Sequence, residues 1–313
     1  MLGDRAKLEF VLGIGAKRKG AAVRILLIGD VVGRPGRRIV QLAVRGLRVR
    51  EGLDLVVVNA ENAAAGSGLA PEMYRQLIGS GVDCITLGDH IYRRKEIIPV
   101  LESERRIVKP ANYPRGAPGR EWTMVTSADG VNTAVFSLLG RVFMKPVDCP
   151  FDAADRVLGE IPSDCKVILV DLHAEATSDK QLIARYLDGK VSAVLGTHTH
   201  VTTADEQILP GGTAFQCDVG MTGPYDSILG RRIDRVMETT RTFRPTPFDV
   251  AKGEVRLHGT IVDIDPAIGK ATAIRRLVVN RSEADRLAAL AEKEASANAP
   301  ANTPTAVGHG ETL

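Results

Sequence analysis

The chain has 313 residues, of which 44% are hydrophobic and 25% are charged. This length and composition suffice for one large core, so neither disorder throughout nor a membrane span is indicated. The balance of 41 Lys+Arg against 38 Asp+Glu gives a formal net charge of only +3, and aromatic residues make up 4%. Because neither a basic surface nor a set of base-stacking side chains is indicated, we expect no stable nucleic-acid complex and no membrane association.

The two ends of the chain differ from its middle. Residues 1–22 hold one short apolar run, 10–16, which is followed by Lys17-Arg18-Lys19. The run is too short to cross a bilayer, and its basic cluster is on the wrong side for a secretory signal. We predict that residues 1–22 form a dispensable, disordered extension. From residue 282 onward the sequence is Ala/Glu-rich, which is compatible with a helix in its first part, and it then loses apolar periodicity. Residues 282–313 are therefore predicted to be a largely disordered tail, with the last dozen residues disordered, which leaves 23–281 as the folded domain.

Three strand-helix units open the predicted domain. Buried strands are predicted at 23–28, 53–58 and 82–87. A Gly/Pro turn at 31–38 and then an amphipathic helix that carries Ile39 and Leu47 follow the first strand, and a helix beginning at Pro71 follows the second. Strands that alternate with helices predict a largely parallel sheet, whose carboxyl ends share one edge. Each strand ends in polar residues: Gly29-Asp30, Asn59-Ala60-Glu61-Asn62 and Gly88-Asp89-His90.

The second half adds hairpins, which predict a mixed sheet or a second sheet packed on the first. Asp129-Gly130 lies between two apolar runs and is a strong hairpin signal. The further predicted elements are the hairpin strands 122–127 and 131–138, the strand 167–170, the helix 178–187, the strand 191–195, the hairpin 207–217, and the closing strands 255–264 and 271–279.

Eight polar side chains fall at the ends of five predicted strands. They are Asp30, Glu61, Asn62, Asp89, His90, His173, His198 and His200. Carboxylate, amide and imidazole groups in combination suit iron, manganese or zinc better than calcium. His198 and His200 lie two apart, so on extended backbone both imidazoles would point to the same side.

Each of these residues also has an ordinary structural interpretation. Asp30 is of a type that caps turns and helices, Asn62 of a type that adopts left-handed turns, and His90 could be a hydrogen-bonded histidine at a helix start. The joint position of the set at strand ends favours a metal site. Cys84, Cys149, Cys165 and Cys217 form no CxxC pair and are typical of reduced thiols in a cytoplasmic protein.

The order and spacing of five motifs resemble the YmdB-like metallophosphoesterases of the calcineurin-like superfamily. The motifs are Gly29-Asp30-Val31, Asn59-Ala60-Glu61-Asn62, Gly88-Asp89-His90, Asp171-Leu172-His173-Ala174-Glu175 and Gly196-Thr197-His198-Thr199-His200. The likeness extends over residues 23–280, and five ordered motifs are far more specific than any single one.

The resemblance implies an α/β fold: a four-layer α-β-β-α sandwich of two mixed β-sheets around a dinuclear centre of iron or manganese. It implies that Asp30, Glu61, Asn62 and His200 hold the first metal. Glu61 would bridge to a second metal, which Asp89, His173 and His198 hold. His90 would be the general acid. The implied activity is hydrolysis of phosphodiesters, including 2′,3′-cyclic nucleotides, by a hydroxide that bridges the metals.

Two positions depart from the pattern of related enzymes. Val32 stands where the wider superfamily usually has a histidine, and the YmdB-like pattern lacks this histidine as well. Asp89 stands where an asparagine is expected. With Asp30, Glu61 and Asp89 the ligand charge is about −3, which should favour a harder or higher-valent ion. The extra negative charge should also lower the electrophilicity of the metal ion.

The substrate contacts and the exact activity are predicted with alternatives. Arg34, Arg37, Asn112 and Arg141 are candidate contacts to a phosphodiester or cyclic nucleotide. A phosphomonoesterase on the same centre and a catalytically weak, nucleotide-binding regulator are the alternatives to a phosphodiesterase, and a metal-dependent amidohydrolase is a more distant one. The sequence does not determine the oligomeric state and is compatible with a homo-oligomer.

Overall fold

The computed structural model describes residues 22–298 as twelve strands and seven helices of four or more residues. The strands are β1 Val23–Ile28, β2 Leu55–Asn59, β3 Cys84–Thr86, β4 Trp122–Thr126, β5 Asn132–Leu139, β6 Val167–His173, β7 Ala193–Thr197, β8 Gln207–Ile208, β9 Ala214–Gln216, β10 Gly223–Pro224, β11 Val255–Asp265 and β12 Lys270–Asn280. The helices are α1 Gly33–Glu51, α2 Pro71–Gly79, α3 Ile98–Ser103, α4 Pro150–Glu160, α5 Thr177–Leu187, α6 Ile233–Thr242 and α7 Arg281–Ala297.

Two six-stranded sheets contain all of these strands. In the first sheet β1, β2 and β3 are parallel neighbours, while β11 pairs antiparallel with β1, β10 and β12. In the second sheet the order is β4-β5-β6-β7-β9-β8, with β5, β6, β7 and β9 parallel and an antiparallel strand at each edge. Both sheets are therefore mixed.

Alternation along the strands explains the layers. In β1, Ile25 and Leu27 pack in a core shared with Leu169 and Leu195 of the second sheet, whereas Leu26 and Ile28 pack against the helices on the opposite face. Successive side chains of a strand point to opposite faces, so one strand serves two cores. A third core joins the second sheet to its own helices. The arrangement confirms the predicted four-layer α-β-β-α sandwich.

The helix α1 begins earlier than the sequence indicated. We predicted a Gly/Pro turn through residue 38, but the helix starts at Gly33, whose φ is +59°, and includes Pro35 in its first turn. Proline is tolerated there because the first N–H groups of a helix have no intrahelical partner. The helices α3, α4 and α6 were not predicted.

The C-terminal tail needs a correction. Residues 282–297, which we placed in a largely disordered tail compatible with a helix in its first part, belong to the ordered helix α7, and its Ala284 and Leu287 are buried. The side chain of Asn280 caps this helix by accepting from the backbone N–H of Glu283, an arrangement that satisfies one N–H of its first turn. Residues 1–21 of the predicted extension lie outside the described residues, and so do residues 299–313 at the end of the tail.

The four cysteines are free thiols. Among the residues that the structure describes, none of the helices combines the length and the apolar character that crossing a membrane requires.

Candidate metal centre

The carboxyl ends of parallel strands from both sheets meet at one edge of the sandwich. The structure brings all eight predicted strand-end residues to this edge, namely Asp30 after β1, Glu61 and Asn62 after β2, Asp89 and His90 after β3, His173 at the end of β6, and His198 and His200 after β7. Ligand sites in open α/β sheets form outside such strand ends.

Glu61 lies at the middle of the cluster and is 1% exposed. Its Oε2 accepts from the backbone N–H of His90 at 3.0 Å and lies 3.3 Å from Nε2 of His173. Its Oε1 accepts from the side-chain amide of Asn62 at 3.0 Å. This carboxylate is therefore in contact with residues from three different strand ends.

Four side chains form the tightest group. One ligand atom from each of Glu61, Asp89, His173 and His198 lies within 4.8 Å of the others. Nε2 of His173 lies 3.4 Å from Oδ1 of Asp89 and 2.9 Å from Nδ1 of His198. These are the residues that the sequence analysis assigned to the second metal.

Asp30, Asn62 and His200 lie beside this group. Oδ1 of Asp30 lies 3.8 Å from Nε2 of His200, which in turn lies 3.3 Å from Nδ2 of Asn62. Asn62 thus presents its amide nitrogen to His200 and its oxygen to Nδ1 of His90, at 2.7 Å. In this orientation the amide oxygen faces the proposed acid and not the other predicted ligands of the first metal.

The donor atoms fit a cation. Oδ1 of Asp30 and Oδ1 of Asp89 are buried and, among the described residues, accept no hydrogen bond. Buried carboxylate oxygens without a partner are costly unless they are paired or coordinate a metal. Carboxylates and imidazoles together suit transition-metal ions.

The pKa values follow the same charge pattern. Burial raises the pKa of Asp30 to about 6, against the opposing effect of His200 and His173. Burial would also raise the pKa of Glu61, but His173 and His90 hold it well below its usual range. Burial lowers the pKa of His173, yet Glu61 and Asp89 raise it well above its usual value. The carboxylates thus attract positive charge to this point, either as a proton or as a metal ion.

The backbone that carries His198 and His200 is not extended. The strand β7 ends at Thr197, and φ is +98° at His198 and +65° at His200. Our expectation that extended spacing would align the two rings was therefore wrong, although both imidazoles reach the centre. Thr199 between them donates through its N–H and its hydroxyl to Oδ2 of Asp218, at 3.0 and 2.8 Å.

A buried polar network supports His173 from behind. Asp171, fully buried, accepts from Asn59, Thr86 and Thr197 at 2.9, 2.5 and 2.6 Å. The Thr197 hydroxyl also lies 2.8 Å from Nδ1 of His173. Such partners fix the orientation of a metal-binding imidazole and leave its other nitrogen for the metal. Asp171 was part of a quoted motif, but the sequence did not assign it a role.

A cavity of about 260 Å³ opens over the centre. It is lined by Val32, Glu61, Asn62, Gly66, His90, Glu175, His198, Thr199, His200, Leu229 and Arg231. The sequence analysis missed Leu229 and Arg231, because they follow no predicted strand and belong to no periodic pattern.

The four predicted substrate contacts do not line this cavity. Arg34 lines a separate cavity beside residues 248–252, and Arg37 donates to the backbone carbonyl of Ala63. The side chain of Asn112 is buried and bonds to backbone groups of residues 139 and 148. Arg141 is exposed.

The two mixed sheets and the cluster of carboxylates and histidines at their edge define a metallophosphoesterase of the calcineurin-like superfamily. A family model described as "YmdB-like protein" matches residues 26–277. The chain belongs to this family.

Known relatives agree with this assignment. The chain is 46% identical over 258 residues to a 2′,3′-cyclic-nucleotide 2′-phosphodiesterase of Bacillus subtilis, with 82% of this chain and 97% of the relative covered. A crystal structure of a hypothetical protein from Thermus thermophilus is 45% identical, with a TM-score of 0.77 and coverage of 82% and 99%. The structure of a novel phosphatase from Mycoplasma pneumoniae is 29% identical, with a TM-score of 0.78 and coverage of 84% and 95%.

Proposed function

We propose that the chain is a metal-dependent phosphodiesterase that hydrolyses small phosphodiesters, 2′,3′-cyclic nucleotides among them. The observation that carries the proposal is the group of Glu61, Asp89, His173 and His198, gathered within 4.8 Å beside a cavity. The similarity to the Bacillus subtilis phosphodiesterase supports the reaction class and the substrate class.

Two transition-metal ions, iron or manganese, fit the donor set. Asp30, Glu61, Asn62 and His200 would hold one ion, with Asn62 turned to offer its oxygen, and Glu61, Asp89, His173 and His198 would hold the other. When bound, such ions neutralise charge on phosphate oxygens and lower the pKa of water, so that hydroxide is available near neutral pH.

His90 is the proposed proton donor. Hydrolysis joins a water oxygen to phosphorus and breaks the ester P–O bond, so the departing oxygen needs a proton. His90 lines the cavity, and its Nδ1 lies 3.3 Å from Oε1 of Glu61, which orients the ring. The side-chain interaction with Glu61 raises the pKa of His90 above its ordinary value, against the effect of burial. A raised pKa favours the protonated form that a general acid needs.

Substrate comparison tests the proposed activity. Protein reconstituted with manganese or iron should hydrolyse bis-nitrophenyl phosphate and 2′,3′-cyclic nucleotides, and it should hydrolyse nitrophenyl phosphate more slowly. The converse ratio would identify a phosphomonoesterase. Turnover of none of these compounds by metal-loaded protein would reject the proposed function.

The variant His90→Ala tests the acid. It should keep its metal content and lose activity by about 10²- to 10⁴-fold on substrates with poor leaving groups. Nitrophenyl esters should be affected less, because nitrophenolate leaves without a proton. Equal losses for both kinds of leaving group would contradict the assigned role.

A catalytically weak, nucleotide-binding regulator is the second candidate. Asp89 favours it, because this carboxylate lies 3.4 Å from His173 at a position where the family resemblance predicts a neutral asparagine. A third negative ligand reduces the net positive charge available to the substrate. If the extra charge restrains catalysis, Asp89→Asn should raise turnover with the metal content preserved, and an identical rate would exclude this effect.

A further inference from the structure

The cavity over the candidate metal centre is lined by one cationic side chain. Among its described lining residues, Arg231 is the only lysine or arginine, whereas Glu61 and Glu175 are acidic. A phosphodiester carries a negative charge, so its binding in this cavity is favoured by a fixed positive group that is not itself a metal ligand.

Backbone carbonyl groups hold the guanidinium of Arg231 in place, and none of these acceptors carries a charge that would neutralise it. Its Nη1 donates to the carbonyls of Ala65 and Phe248 at 2.9 and 2.8 Å, and its Nη2 donates to the carbonyl of Gly66. All three acceptors are neutral backbone groups. A guanidinium has five N–H donors, so Nε–H and one Nη2–H are not used by these bonds.

The approach of Arg231 depends on Gly66. The φ of Gly66 is +84°, and a Cβ at this position would lie 2.4 Å from Nη1 of Arg231. Any other residue would therefore be strained and would displace the guanidinium. The loop after β2, which carries Glu61 and Asn62, is thus shaped to receive this side chain.

The turn 228–231, which carries Arg231, also contacts a predicted metal ligand. The carbonyl of Leu229 lies 3.2 Å from Nδ1 of His200, and Ile228 and Arg231 exchange two backbone hydrogen bonds of 2.9 Å. Four consecutive residues therefore link the imidazole of His200 to the guanidinium of Arg231. One short segment therefore contacts a proposed metal ligand and also carries the cation.

From this arrangement we infer that Arg231 is a substrate-binding residue: it holds a non-bridging oxygen of the substrate phosphate while the ester bond lies over the metal centre. The inference rests on the proposed function and deepens it, because it assigns the anion contact that the sequence analysis sought in Arg34, Arg37 and Arg141. The ligand class is a phosphodiester or phosphate anion.

Arg231→Met, with Arg232→Met as its matched control, tests the inference. Arg232 is the next residue, is 45% exposed and pairs with Asp234 outside the cavity. On bis-nitrophenyl phosphate, the Arg231 variant should raise KM by about 10- to 100-fold, with kcat changed much less and metal content unchanged. The Arg232 variant should behave like the parent, and Arg231→Lys should recover part of the lost affinity.

Calorimetric titration of the metal-loaded protein with inorganic phosphate adds a readout independent of turnover. Arg231→Met should weaken phosphate binding by a similar factor, and Arg232→Met should not. An unchanged KM with unchanged phosphate affinity would overturn the inference, as would a loss of metal from the Arg231 variant. If the parent hydrolysed no phosphodiester, the proposed function would fail, while the phosphate titration would still decide whether Arg231 binds the anion.

Discussion

Gly88 shows how much the proposed metal centre depends on the absence of one side chain. A Cβ at this position would lie 2.3 Å from Oε2 of Glu61 and 2.3 Å from Nε2 of His173. Real Cβ atoms do not approach other heavy atoms so closely, so either the carboxylate or the imidazole would have to move. The residue before Asp89 therefore controls two of the proposed ligands.

The variant Gly88→Ala should bind less metal. We expect a loss of at least about 10-fold in affinity for manganese, because displaced ligands cannot converge on one ion. Elemental analysis after dialysis measures this. Gly79→Ala is the control, because a Cβ there meets nothing within 4 Å. Unchanged metal content in Gly88→Ala would contradict the predicted crowding.

His258 is a buried histidine, and its titration is expected to make stability depend on pH. Its ring stacks on Tyr225 with centroids 4.6 Å apart, and its Nδ1 lies 2.7 Å from the hydroxyl of Thr202. Burial, and beyond it Arg256, lowers its pKa from 6.5 to about 4. Between these values the unfolded chain binds a proton that the folded protein does not, so protons favour unfolding.

Above pH 6.5, neutral His258 should make its full contribution to the free energy of unfolding. The free energy of unfolding should fall as the pH decreases from 6.5 toward 4. Urea unfolding at several pH values in this window measures the decline. His258→Gln, which does not titrate there, should show a shallower decline than the parent. Equal slopes for the two proteins would show that His258 does not contribute.

At the scale of elements, a buried ion pair joins α5 to the loop after β9. Lys180 and Asp218 are each 1% exposed, and Nζ of Lys180 lies 2.8 Å from Oδ2 of Asp218. The same oxygen accepts both bonds from Thr199, between the two histidines. The helix thereby supports the segment that carries two proposed ligands.

Lys180→Met should lower the free energy of unfolding by about 3–5 kcal/mol, because it leaves the Asp218 charge buried without its partner. Lys190→Met is the matched control: its pair with Asp155 is 45% and 53% exposed, and such pairs contribute at most about 1 kcal/mol. Denaturant unfolding compares the two. A similar small loss in both variants would contradict the assigned role of the buried pair.

Elements with a strong local pattern could be predicted, and others could not. The strands β1, β2 and β6 are buried runs of branched residues, and Pro71 marks the start of α2. In contrast, α6 has no buried residue, and the buried face of α4 includes the small Ala153 and Ala154. Both helices are short, with 10 and 11 residues, and so few turns give a sequence-based prediction little periodic pattern to detect.

At the scale of the whole molecule, α7 completes the outer layer of the first sheet. Its Leu287 is 2% exposed and packs so close to α1 that a Cβ on Gly46 would lie 2.1 Å from the carbonyl of Leu287. The helix therefore belongs to the folded domain, and the domain extends beyond the boundary predicted at residue 281.

Truncation tests this boundary. A chain that ends at residue 298 should unfold at nearly the same urea concentration as the full chain. A chain that ends at residue 280 should lose at least about 2 kcal/mol, because burial of Leu287 alone contributes on that order. Equal stability of the two truncated chains would show that α7 adds nothing to the domain.

The residues that cluster at the candidate metal centre could be predicted from the sequence, whereas those around the cluster could not. Asp30, Glu61 and His173 each follow or end a buried strand, and topology alone brings such residues together. Arg231 could not be predicted, since it bonds to Ala65 and Gly66, which are more than 160 residues away in sequence. Contacts of that separation between irregular segments leave no local pattern.

The left-handed backbone at His198 and His200 has a further consequence. Such conformations cost on the order of 1–3 kcal/mol each for residues other than glycine, and here the bonds from Thr199 to Asp218 hold them in place. Asp218 is not one of the proposed ligands, so hydrogen bonds within the protein offset this cost independently of coordination. The two imidazole rings are therefore preorganised for a metal ion, so the ordering of this segment should reduce the free energy of metal binding only slightly.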